Sequence, residues 1–183
     1  MEKLLAKLEW VLWPLIFALI LVQAMGWAKV NQFLILFMGL QALLLQLNAR
    51  KRPTAEAKLK KVFPILEGFG GTVVVLGSLF RLLAWPGWEN MLMIGLAAVL
   101  MGLGARLFIA KPQDFFANRK SQLRYVLLLA LGLGTLLMTE EQVAAYLFPG
   151  KEEVQKAFME MQHNPEDTAA VRKYWEAKEN SKR

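Results

Sequence analysis

Hydrophobic and polar positions along the chain alternate in blocks rather than in fine texture. Five apolar stretches, separated by charged breaks or breaks marked by Trp, Pro and Gly, fill the first three quarters. The first runs from Trp10 to Ala28, with Trp10, Trp13 and Trp27 near its ends and Pro14 near its start. A turn at Gly26–Asn31 leads to the second, Val30 to Leu47, which carries Gln41 and Gln46. The third runs from Val62 to Trp85 and holds Glu67 and Arg81; the turn Trp85-Pro86-Gly87-Trp88-Glu89-Asn90 then leads to the fourth, Met91 to Ala110. The fifth, Tyr125 to Met138, has an uncharged core of about 14 residues, or roughly 21 Å of helix at 1.5 Å per residue. A spanning helix needs about 20 apolar residues, so the fifth crosses with Arg124 snorkelling at one end or with local thinning of the bilayer.

From Thr139 onward the pattern becomes that of amphipathic soluble helix. Thr139-Glu140-Glu141-Gln142 reads as a capping box that opens a short interfacial helix to Phe148, broken by Pro149-Gly150. A helix over Lys151–Gln162 places Val154, Phe158 and Met161 on one face. Asn164-Pro165 reads as an N-cap with proline at the first helical position, and the final helix groups Ala170, Val171, Tyr174 and Trp175. These elements predict an all-helical polytopic membrane protein: residues 1–139 a transmembrane domain of five spans, residues 140–183 a small helical tail outside the cytoplasm.

Composition supports this. The hydrophobic fraction is 56% with a mean hydropathy of +0.34, above the globular norm of roughly 45–50%. The net charge of +7 is concentrated in two groups, Arg50 to Lys61 and Arg106 to Arg124, each between apolar runs. Basic loops of that kind set orientation and attract anionic headgroups, so they predict a cytoplasmic N-terminus and a lipid partner, not nucleic acid. The tail's nine acidic and seven basic residues fit a translocated segment.

Candidate chemistry is sparse. With no cysteine and one histidine, His163, thiol catalysis and Cys or His metal sites are excluded. No catalytic set, cofactor motif or phosphate-binding loop is present; Glu140 and Glu141 do not face one another on a helix and read as a solvated helix start. Ionisable groups inside spans are the functional candidates. Glu67 reads first as an interfacial carboxylate paired with Lys60 or Lys61 or capping a neighbouring helix, and second as a protonatable site paired with Arg106. Arg81 is expected to snorkel to headgroups or to pair with Glu89. Small residues at helical spacing (Gly68 with Thr72, Ala98 with Gly102, Ala130 with Gly134) predict close helix packing, most densely at Gly68, Gly70 and Gly71.

The first and second hairpins look related, Leu21 to Trp27 matching Leu79 to Trp85 and Met38 to Ala42 matching Ile94 to Ala98. The second resembles a known family more specifically. Gly68 to Arg81, the turn Trp85-Pro86-Gly87, and Met91-Leu92-Met93-Ile94-Gly95-Leu96 are similar to the transmembrane hairpin of the GldL family, bacterial inner-membrane components of the gliding-motility and type IX secretion motor. The resemblance covers about residues 63–112. It implies a membrane-complex subunit in the inner membrane, associating with other subunits or with itself. It also implies departures. The family's intramembrane glutamate, four residues after the glycine of Ile-Gly-Leu, falls on Val99, with Leu43 its counterpart in the first hairpin. A histidine often found before the outer turn is Ala84, and a fifth apolar run stands where a coiled segment usually follows. A proton-driven motor needs a titratable group at membrane depth, so the expected role is a non-catalytic, non-enzymatic subunit or scaffold. The alternative is a small transporter or ion-conducting protein using Glu67 and Arg106.

Overall fold

A computed structural model describes residues 2–26, 30–50, 58–109 and 119–181. Among them the chain forms eight helices: α1 Glu2–Ala24, α2 Asn31–Arg50, α3 Lys58–Leu82, α4 Trp88–Ile109, α5 Arg119–Leu136, α6 Glu140–Leu147, α7 Glu152–His163 and α8 Thr168–Asn180. Trp27 and the stretches 51–57 and 110–118, which include Lys51, Arg52 and Lys111 of the two basic groups, lie outside the described residues.

Helices α1 to α4 are each long and apolar enough to cross a membrane; α5 and α6 supply a fifth crossing only if taken as one span bent by 101°. The expected fifth span is thus a short helix followed by a corner. The capping box decides the corner: Thr139 Oγ1 accepts from the Gln142 amide and Gln142 Oε1 from the Thr139 amide, which starts a new helix instead of continuing α5. The bundle buries Leu12, Trp13 and Ile16 of α1 against Leu34 and Met38 of α2, Val74 and Leu79 of α3, and Leu128 of α5. Its outer surface is apolar as well, with Phe33, Leu36, Met93, Ile94, Leu100 and Phe108 exposed. A helix apolar on all sides, as α4 is, needs apolar surroundings on all sides, and hydrocarbon supplies them.

Helix α3 is central, packing on α2, α4, α5 and α6. Its glycines allow this. A Cβ at Gly68 would lie 2.2 Å from that of Ala49 on α2, and one at Gly70 would lie 2.9 Å from both the Ala98 Cβ and the Val99 backbone nitrogen on α4. Gly71 faces Leu45 and Leu128. Gly102 is looser, its nearest neighbours being Tyr125 Oη at 3.6 Å and the Glu67 backbone at 3.9 Å. The pair Ala130 and Gly134 is not at a helix contact: both are exposed, because α5 turns Tyr125, Leu128, Leu131 and Gly132 inward instead. Hydroxyls link helices through the bundle, Thr72 Oγ1 donating to the Ala42 carbonyl at 3.0 Å and Ser78 meeting Thr135 at 2.9 Å.

Several boundaries depart from the periodicity. Helix α1 begins at Glu2, so Pro14 lies inside it, where surrounding helices hold the chain helical despite the missing donor. Trp88 to Asn90 already belong to α4, and the outer turn ends at Gly87, with φ +84°. Helix α3 ends in a Schellman arrangement: Trp85 N–H reaches the Phe80 carbonyl at 2.7 Å and Ala84 N–H that of Arg81 at 3.0 Å, with Ala84 in the left-handed region at φ +53°.

The C-terminal helices gather around Ala144, Val154, Ala157, Phe158 and Tyr174, with Phe148, Phe158 and Tyr174 in mutual ring contact. Asn164 ends α7 rather than starting α8, its backbone N–H bonded to the Glu160 carbonyl. Asp167 caps α8 through a 2.8 Å bond from the Ala169 amide, a stronger cap than the Asn-Pro step because its side chain reaches the second helical amide. Trp175 does not join this core; it is 53% exposed and packs edgewise against Tyr174 beneath the Lys178 ammonium.

Candidate functional site

The helical hairpins bring one end of α1, α2, α3, α4 and α5 together, the end that carries the two linkers. Glu67 enters there from α3, about two turns from the start of the helix, and is 2% exposed. Arg106, in the last turn of α4, places Nη2 at 2.9 Å from Glu67 Oε2. Of the expected pairings of Glu67, that with Arg106 is seen; the side chains of Lys60 and Lys61 lie outside the described residues.

The pair belongs to a larger cluster. Glu9 of α1 is fully buried and accepts from Arg124 Nε at 2.7 Å and Nη2 at 2.8 Å, a fork-to-fork contact of the strong, directional kind. Arg124 Nη1 reaches Glu67 Oε1 at 3.3 Å, and Asn48 Nδ2 of α2 donates to Glu9 Oε2 at 2.7 Å. Arg106 Nη1 donates to Ser121 Oγ of α5 at 2.5 Å, and its guanidinium lies 5.9 Å from the centre of the Tyr125 ring. Two carboxylates and two guanidinia, alternating Glu9, Arg124, Glu67, Arg106, thus join four helices with no net charge, and Asn48 adds α2 as the fifth. Charges this deep are tolerated only when each is paired and hydrogen-bonded, and here each carboxylate oxygen has a donor.

Arg124 thereby departs from the expectation that it snorkels: it turns inward and meets two carboxylates. Glu9 was missed because its neighbours Glu2, Lys3 and Lys7 make the segment look like a solvated terminus. The signal was present in the helical stripe Glu9, Leu12, Trp13, Ile16, Gln23, a single face that is buried throughout.

Arg81 lies at the opposite end and also turns inward, and of its two expected settings the charge of Glu89 does act on it, together with that of Glu140. It is buried, its guanidinium carbon 3.9 Å from the centre of the Trp88 ring, and Nη2 donates to the Met138 carbonyl at 2.5 Å. That carbonyl is exposed to capture because the corner between α5 and α6 leaves it without a helical donor. Trp85, Pro86 and Gly87 form the turn beside it, with the edge of Trp85 against Phe80.

Residues 66–109 match the family model of the GldL N-terminal domain. The match covers α3 from just before Glu67, the outer turn and all of α4, about a quarter of the chain, and it agrees in extent with the resemblance read from the Leu-Phe-Arg, Trp-Pro-Gly and Ile-Gly-Leu steps. No curated protein and no solved structure matches the chain. The GldL-like segment is thus the central hairpin of this bundle, and it supplies half of the ionic cluster, Glu67 and Arg106. The other half, Glu9 and Arg124, comes from helices outside the match. Within the segment, Val99 is fully buried in the core beside Gly70, while Leu43 of α2 is exposed. Among the described residues, no group of three or more His, Cys, Asp or Glu side chains is placed to hold a metal ion.

Proposed function

We propose that the protein is a non-catalytic integral subunit, or scaffold, of a bacterial cell-envelope complex, built on a GldL-like hairpin and held in one rigid arrangement by the buried ionic cluster. The observation that carries this reading is the engagement of Glu67 and Glu9 by cations from different helices. Glu67, bonded at once to Arg106 of α4 and Arg124 of α5, closes the bundle like a clasp. Val99, standing where the family's motor glutamate is expected, cannot titrate. The basic linkers at the clasp end favour the cytoplasmic face of the inner membrane by the positive-inside rule, which puts the N-terminus inside and α6 to α8 outside, as a docking surface for neighbouring subunits.

Proteoliposomes carrying an imposed pH gradient test this. Wild-type protein and Glu67→Gln are both expected to leave the gradient decaying at the rate of empty vesicles, while Glu67→Gln melts at a lower temperature in detergent. A proton or ion flux present in the wild type and abolished in Glu67→Gln would replace the scaffold reading with that of a small transporter using Glu67 and Arg106. Orientation is checked by a reporter fused after Arg183, for which activity on the cytoplasmic side is the adverse result.

A further inference from the structure

At the end of the bundle opposite the clasp, the turn between α3 and α4 and the helices α6 and α7 enclose a cavity of about 400 Å³. Arg81, Trp85, Trp88, Glu89 and Glu140 line it, with Phe158 of α7 on an apolar wall. The charges are ordered by depth. Arg81 is 7% exposed, whereas Glu89 and Glu140 are exposed. One Nη of the guanidinium donates to Met138, and the group lines the cavity together with Glu89 and Glu140, whose opposite charges act on it. Tryptophans settle at the headgroup level of a bilayer, and Trp85 and Trp88 fix the cavity at that depth, at the ends of two spanning helices.

We propose that this cavity binds the headgroup of a membrane lipid carrying both a phosphodiester and a primary ammonium, a phosphoethanolamine headgroup. The phosphodiester sits against the buried Arg81 guanidinium, which recognises phosphate through its fork of donors. The ammonium sits between the exposed Glu89 and Glu140 carboxylates, to which it donates charge-assisted hydrogen bonds. The apolar wall around Phe158 takes the glycerol end of the lipid. Other headgroups fit worse. An anionic phosphoglycerol headgroup gains Arg81 but meets two carboxylates with nothing to offer them. A phosphocholine headgroup has no N–H to donate, and one face of Trp88, which would attract its quaternary ammonium, is already taken by Arg81.

Native mass spectrometry of the detergent-solubilised full chain, titrated in turn with dioleoyl phosphatidylethanolamine, phosphatidylcholine and phosphatidylglycerol, tests the assignment. One phosphatidylethanolamine per chain is expected to be retained about tenfold more tightly than either competitor, the scale of one or two charge-assisted hydrogen bonds. Glu89→Gln/Glu140→Gln is expected to reduce that preference to the phosphatidylcholine level. Equal retention of the three lipids by the wild type, or a preference that survives the double substitution, overturns the proposal. Free phosphoethanolamine is expected to displace the lipid only in large excess; equal potency would overturn the assignment to a lipid.

Discussion

Glu9 shows how much one buried charge can organise. It holds Arg124 by two bonds and Asn48 by a third, so its removal leaves a guanidinium short of its counter-charge in a low-dielectric interior. Breaking one side of such a pair costs about 3–5 kcal/mol, whereas replacing both partners by apolar groups is often close to neutral. Glu9→Met is therefore expected to lower the melting temperature sharply in detergent, and Arg124→Met to lower it further, because that change strands Glu9 and weakens the hold on Glu67 at once. Glu9→Met/Arg124→Met is expected to recover most of the loss. A double variant as unstable as the sum of the two singles would show that the residues act independently, contrary to the geometry.

Helix α3 makes the same point at the scale of elements, where backbone approach replaces charge. A Cβ at Gly95 would lie 2.7 Å from the Val74 backbone nitrogen, while one at Gly104, on the same helix, would meet nothing within 4 Å. Gly95→Ala must push α4 off α3, and overpacking of this kind costs about 1–3 kcal/mol. Gly104→Ala adds a methyl to open space and removes backbone entropy from the unfolded chain, a gain of up to about 1 kcal/mol. Opposite shifts in melting temperature are expected from these two chemically identical substitutions. Destabilisation of equal size at both sites would mean that glycine content, rather than contact, explains the hairpin. At the end of α3, Ala84 occupies a left-handed position that glycine fills without strain, so Ala84→Gly is expected to stabilise the turn, measured in the same melt, by about 1 kcal/mol. A lowered melting temperature would show that the alanine methyl matters more than the backbone.

For the whole molecule, the two cores differ in how they are supported. The bundle core is continuous across α1 to α5, takes in Tyr146 of α6, and is surrounded by apolar surface. The C-terminal core is a few side chains deep and leans on Ala144 of α6 and on Phe148 just after it. A hairpin of 34 residues with so small a core does not hold helix alone. A peptide of residues 150–183 is accordingly expected to show little helix by circular dichroism in buffer, against the fully helical α7 and α8 of the intact chain; native-like helicity in the isolated peptide would show that this hairpin folds without α6.

Much of this protein was legible in its residues. The apolar blocks, the Trp-Pro-Gly turn, the Thr139 capping box and the glycine-spaced third run depend on local chemistry and on length, which a sequence carries directly. So does the likeness of α3 and α4 to the GldL N-terminal domain, because the steps that carry it are contiguous. Periodicity misjudged Trp175, which its stripe grouped with Tyr174 but which the three-helix core leaves outside, and Asn164, which yielded the α8 cap to Asp167. What only the tertiary structure decided is which charges go inward. Glu9 and Arg124 are separated by 115 residues, and nothing in either neighbourhood names the other. A charge at the end of a spanning helix can reach headgroups or turn into the bundle with equal ease as far as its own helix is concerned. The choice is made by the energy of pairing, and that exists only once five helix ends have been brought to the same place.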